Sequence, residues 1–270
     1  MATIIDQVTL RTGVADWLNR SDLTDNQIDD FVSIGEASIY ETLRIPPLEI
    51  VQSFSVTSSN SSIIIPTGFI EMIELRLNAA DKDDDVVLSR IDSKAFSNNY
   101  ISHAYTRQTN NFLLTDKSGN QEAAGTYTMT YYKAEDPIGT YATATTAVTA
   151  LLVGKYYKIA SLGNTSQSNW NTAAGTSSIT YAVGAIFKAA ATTTGTGTAR
   201  IEVIPYILGS EFEVILYAAC ASGAVFLGDI EMEQKYIQLT AGKIGSLNQK
   251  EINASMKGSG FHAAFSSNLL

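Results

Sequence analysis

The chain has 270 residues, a formal net charge of −9 and a single cysteine. That length suits one large domain or two ordinary ones. A lone Cys220 excludes an intrachain disulfide framework, and the acidic balance argues against a protein that grips nucleic acid by neutralising phosphates.

In chain order, residues 4–18 read as a short helix, and Asn19-Arg20-Ser21-Asp22 as the turn after it. Thr24-Asp25-Asn26-Gln27 is a capping box. Ile28, Phe31, Val32, Gly35, Ile39 and Leu43 then recur at helical spacing until Pro46-Pro47 forbids continuation. Beyond the prolines the period becomes two. Ile50–Val56 alternates, the polar tract 57–62 reads as a hairpin loop, and Ile63-Ile64-Ile65 meets the turn Pro66-Thr67-Gly68-Phe69. Strands over Ile70–Leu77, Asn110–Leu114 and Thr126–Tyr132 are expected to complete a small antiparallel sheet. A short helix within 88–100, capped at Asp92 or Ser93, is expected between them.

From Pro137 to Ala199 there is no Asp or Glu, and Ala, Thr, Gly and Ser dominate. Alternating segments at 156–159, 179–183 and 185–189, with a strand over Ala199–Ile204, predict a compact inserted β module rather than a linker. Ser210-Glu211-Phe212-Glu213 reads as a second capping box, opening one long helix to about Lys243. Its centre, Ala218–Ala224, is nearly free of large side chains, so another backbone can approach closely. Ile28, Phe31 and Ile39 on the early helix are expected to pack antiparallel against Leu216, Ala219, Gly223, Phe226 and Leu227 on the late one.

Chemistry-bearing patterns are sparse. His103 and His262 lack any triad context, and no glycine loop or Cys/His cluster suits a phosphate or zinc. Asp81-x-Asp83-x-Asp85 fails as a calcium loop, because Val86 stands where glycine is required. The pairs Glu36/Glu41 and Asp29/Asp30 read as wet helix faces, and Cys220 as a small apolar residue. No cofactor, metal or catalytic residue is expected, so the chain reads as a non-enzyme. No apolar run reaches the ~20 residues of a membrane span. Met-Ala-Thr-Ile-Ile-Asp lacks the basic start of a signal peptide, which predicts synthesis in the cytoplasm.

The order of motifs carries a resemblance. Asp16-Trp17-Leu18-Asn19-Arg20, Tyr40-Glu41-Thr42-Leu43-Arg44, Ile65-Pro66-Thr67-Gly68-Phe69, Tyr131-Tyr132 before Asp136-Pro137, and Leu227-Gly228-Asp229 follow one another. Together, over residues 5–137 and 205–260, they resemble the head-to-tail adaptor (connector) proteins of short-tailed bacteriophages. The resemblance implies an α+β fold: a bundle of N- and C-terminal helices with a small antiparallel β region, formed by 1–137 plus 204–255. The module at 138–203 departs from that pattern, and 256–270 forms an extended tail. It implies a structural virion protein at the head–tail interface, in a ring of about twelve copies. The portal protein lies above and tail nozzle or fibre proteins lie below. DNA transits the lumen without sequence-specific binding, and no membrane is involved. Phe261, Phe265, Leu269 and Leu270 are the expected portal-docking anchors. A tail-associated peptidoglycan hydrolase, or a host-surface or glycan-binding tail protein using the module, are the alternatives.

Overall fold

The computed structural model describes residues 4–57, 59–78, 85–98, 101–115 and 124–258. Among these the chain is α+β, with seven α-helices and three four-stranded sheets. It divides into two units: residues 1–39 with 136–246, and residues 40–135 with 247–270.

The first unit begins with α1 (Gln7–Trp17), held by a reciprocal cap. Asp6 accepts the Thr9 amide at 2.8 Å, and the Thr9 hydroxyl accepts the Asp6 amide at 3.1 Å. The box at Thr24–Gln27 forms in the same way and starts α2 (Asp25–Thr42). The single helix expected over 210–243 is instead two, preceded by a short one. Ser210 ends α5 (Tyr206–Ser210), and no side chain caps α6 (Phe212–Leu227) at Glu211. Glu213 does not reach back to Ser210; it takes the Lys243 ammonium at 2.6 Å. Gly228, at φ 71°, closes α6 in the left-handed conformation that glycine adopts without a Cβ penalty. Asp229 then accepts the Met232 amide and opens α7 (Ile230–Gly258). The Leu227-Gly228-Asp229 stop-and-restart signal therefore overrides the continuous apolar period.

The segment 138–203 belongs to this unit and has a core of its own. Its sheet runs β11-β10-β12-β9, with β9 Thr146–Ala147, β10 Tyr156–Ser161, β11 Ile186–Lys188 and β12 Thr198–Ile201. Tyr157, Ile159, Phe187 and Ala199 pack around Trp170, which is wholly buried. Trp170 sits on α4 (Gln167–Ala174), a helix missing from the sequence reading although Ser166 caps it and Gly175 ends it at φ 64°. The strand expected at 179–183 does not form. Asn171 instead donates to the Ile179 carbonyl and accepts its amide, and Gln167 does the same for Tyr181. Two helix side chains thus stand in for a neighbouring strand.

In the second unit the expected single sheet is two. β1 (Glu49–Val56), β8 (Gly125–Lys133), β3 (Phe69–Asn78) and β4 (Val86–Val87) form one, in that order. β2 (Ser62–Ile64), β7 (Asn111–Leu114), β6 (Ala104–Gln108) and β5 (Ser89–Arg90) form the other. β1 pairs with β8 and β2 with β7, so the strands flanking tract 57–62 belong to different sheets, although Thr57 and Asn60 do meet there as a tight antiparallel bridge. β5 and β6 run parallel, and all other ladders are antiparallel. Both sheets contribute to one core of Val56, Leu75, Tyr127 and Met129 with Ile63, Phe112 and Leu114. Asp92 caps α3 (Ser93–Asn98) through the Lys94 and Ala95 amides. Where Pro46-Pro47 stops α2, Asn248 donates to the Thr42 carbonyl and accepts the Arg44 amide.

Candidate functional site

The surfaces of the first unit depend on how rigidly its helices hold one another. A Cβ placed on Gly35 of α2 would lie 2.9 Å from the Ala219 nitrogen and 3.0 Å from the Ala218 carbonyl carbon of α6. One on Gly223 would meet Leu18 at 2.5 Å and Phe31 at 3.2 Å. Rising position on one helix meets falling position on the other, so α2 and α6 are antiparallel, and the small residues allow backbone contact. Ile28, Phe31, Ile39, Leu216, Ala219 and Gly223 are buried. Leu227 is half-buried. Phe226, expected in the core, is 58% exposed; its ring touches Phe31 at 5.4 Å while its other side faces solvent. It lies in the last turn of α6, just before the chain turns at Gly228. Cys220 is buried on α6, and burial pushes its thiol up to about 12.

The root of the 138–203 module is polar and enclosed. Its two ends run side by side: Tyr141 bridges Glu202, Ala142 donates to Ile201 at 2.8 Å, and Val203 donates to Thr140 at 2.9 Å. Glu202 is buried and accepts the Gln7 amide, an orphan donor of the first turn of α1, at 2.9 Å. Glu36 is also buried and accepts the Ile138 amide. The Asp29 carboxylate takes Arg11 and Gln7 together. The reading of Glu36 and Asp29 as wet faces is therefore corrected, while Glu41 and Asp30 are exposed. The buried acceptors meet amide donors that a sequence scan for side-chain partners does not see. Burial holds Glu202 above the ordinary carboxylate range, against the opposing Gln7 bond, and pushes Tyr141 up to about 12.

Between α1 and the module sheet lies an open cleft of about 880 Å³, whose walls include Arg11, Asp16, Asp25, Tyr156 and Lys188. Nothing in it resembles a reacting constellation. Among the described residues no three His, Cys, Asp or Glu side chains are grouped to hold a metal. No helix there is long and apolar enough to cross a membrane. His103 sits in a turn at φ 50°, away from that cleft's walls. His262, Asp81, Asp83 and the expected anchors Phe261, Phe265, Leu269 and Leu270 lie outside the described residues.

Compared with protein-family models, residues 8–191 match the SU10 adaptor protein. The matched span runs from α1 through β11, so it includes most of the 138–203 segment that the motif resemblance left out, and it ends before α5. No curated protein matches the chain.

Proposed function

The chain belongs to the SU10 adaptor protein family, bacteriophage head-to-tail adaptors that are structural components of the virion, and on that premise we propose that it works as a ring. In this reading about twelve copies assemble beneath the portal and join it to the tail nozzle or fibres, leaving a lumen for the genome. Residues 1–137 and 204–255 form the adaptor body, 138–203 an inserted surface module, and 256–270 a tail whose Phe261, Phe265, Leu269 and Leu270 dock on the portal. The net charge of −9 suits a lumen past which DNA slides without sticking.

The observation that carries the assembly reading is the apolar surface around the α6–α7 corner. Val225, Phe226, Ile230 and Ile237 are all at least half exposed within thirteen residues. Exposed apolar groups so concentrated ask for a covering surface.

Native mass spectrometry of the purified chain, alone and with portal, tests it. Rings of a single stoichiometry on the portal are the expected result. A chain that stays monomeric at micromolar concentration with portal present overturns it.

A further inference from the structure

The module carries four cations, Lys155, Lys158, Lys188 and Arg200, and no acidic residue from 138 to 201. The remaining chain therefore holds fourteen cations against all 27 acidic residues. All four module cations are exposed, and among the described residues none has an ion-pair partner. Elsewhere, Arg11, Arg20, Arg44, Arg76 and Lys243 are paired.

The ladder register gathers three of these cations on one face. Lys158 stands directly opposite Arg200 on β12 and Ile186 on β11, and Lys188 stands opposite Tyr156. Tyr157 and Ile159, on the other face, are buried in the module core. Two like charges directly opposed across strands are unfavourable in an isolated sheet. Here the nearest acid along the chain, Glu202, is buried and committed to the Gln7 amide. The ammonium groups of Lys158 and Lys188 rest over the rings of Tyr141 and Tyr156 at 5.7 and 5.6 Å. Exposed Val183 joins Lys158 and Arg200 around one depression of about 450 Å³. The face is therefore basic and half apolar; Lys188 shares the cleft beside α1 with Asp16 and Asp25, whereas the depression that Lys158 and Arg200 line has no acidic wall.

The complementary surface is the α6–α7 corner. Ile230 and Ile237 form an exposed stripe, and at about 100° per residue Glu231 and Glu233 flank it on either side. Phe226 and Val225 extend the apolar area across the break. Lys235, the one cation in the first two turns of α7, sits over the Tyr236 ring and lines a depression with α1.

We infer that the basic face of the module docks on the α6–α7 corner of the next copy, with Lys158 and Arg200 meeting Glu231 and Glu233 around a shared apolar centre. The inference rests on the ring reading and supplies its contact. Two different patches of one chain make a heterologous pair, and a closed ring needs such a pair, whereas a self-complementary patch gives only a dimer. Charge opposition sets the register, and apolar burial holds it.

Charge exchange tests this. One variant carries Lys158→Glu and Arg200→Glu, and a second carries Glu231→Lys and Glu233→Lys; all four positions are exposed or half-exposed, so melting should match the parent. Ring yield on the portal is read by native mass spectrometry. Each variant alone should lose on the order of tenfold in ring yield. Mixed in equal amounts they should recover rings in which the two masses alternate, because each reversed surface then meets an opposite charge. Rings from either variant alone at parental yield, or no recovery on mixing while the parent forms rings, overturn the pairing. A folded parent that stays monomeric overturns the ring reading itself. Binding of a DNA duplex to the parent, lost in the first variant while its ring yield is unchanged, shows a nucleic-acid face and overturns the pairing as well.

Discussion

Gly35 and Ala219 bring two helix backbones into contact: a Cβ on Gly35 would stand 2.9 Å from the Ala219 nitrogen. Helix propensity alone favours Gly35→Ala by about 1 kcal/mol. Here the atoms in the way are main-chain atoms of a buried helix, which cannot rotate aside. Overpacking of this kind costs about 1–3 kcal/mol, so the clash wins and the variant should melt several degrees lower. Gly242→Ala on α7, where a Cβ meets nothing, should melt at or above the parent. Parallel thermal melts of the two variants check the sign.

Glu202 titrates from an unusual place. Burial raises its folded value above the unfolded one, so the folded state holds the proton more tightly across the window between the two. Stability from this group is present below the unfolded carboxylate value and is lost as pH rises through the folded one. Glu202→Gln keeps an oxygen for the Gln7 amide and removes the buried charge. The variant should match the parent at about pH 4 and exceed it at pH 8, by on the order of 1 kcal/mol. A gap that shrinks as pH rises would show that the charge-assisted Gln7 bond outweighs burial.

The α2 capping box, the proline stop at Pro46-Pro47 and the small collar at 218–224 are local signals, and each appears where its spacing predicts. Partnership is not local. β1 and β8 lie far apart in the chain, and nothing in either strand says that it skips its neighbour to pair across the loop. Glu36 and Asp29 look solvated because their partners, the Ile138 amide and the Arg11 fork, come from other elements. The α4 helix was legible in Ser166 and Gly175, but the β-rich composition around it hid the pattern. The split at Gly228 was legible too, since Gly followed by Asp both ends one helix and starts another.

Phe226→Asp is a direct consequence of the exposed ring. The substitution removes one aromatic contact with Phe31, worth about 1 kcal/mol, and places its charge in water. The variant should fold and melt within a few degrees of the parent. Its ring yield on the portal should fall, because the corner it acidifies is apolar. An insoluble or molten Phe226→Asp protein by circular dichroism would return this residue to the core.

Cys220 offers a chemical probe of the packing around α6. Its thiol is buried and held as the neutral form, the weaker nucleophile. Iodoacetamide should leave the native protein unmodified at pH 8 and alkylate it fully in denaturant. Partial labelling of the native chain, read by mass, would report opening around α6.

The module can be removed at a place the structure marks out. Tyr141 and Glu202 already face each other as an antiparallel bridge, flanked by Ala142 to Ile201 and Val203 to Thr140 hydrogen bonds. Joining Tyr141 to Glu202 through a four-residue loop with Asn-Gly at its centre closes this non-hydrogen-bonded pair, because the two residues flanking Asn-Gly then form the hydrogen-bonded pair that such a turn requires. The shortened chain keeps Glu202 for the Gln7 amide and Ile138 for Glu36, and of these root groups only the Glu202 amide loses its acceptor, the Tyr156 carbonyl. What leaves is a cluster that packs on itself around Trp170 and Phe187. Helical circular dichroism per residue should rise, and the melting temperature should stay within about 5 °C of the parent. A splice that removed Glu202 as well should instead lose roughly 1–3 kcal/mol, the cost of a buried amide left without an acceptor. If the Tyr141–Glu202 splice fails to fold while the intact chain melts cooperatively, the module and the helices share one core, and the boundary at 138–203 is wrong.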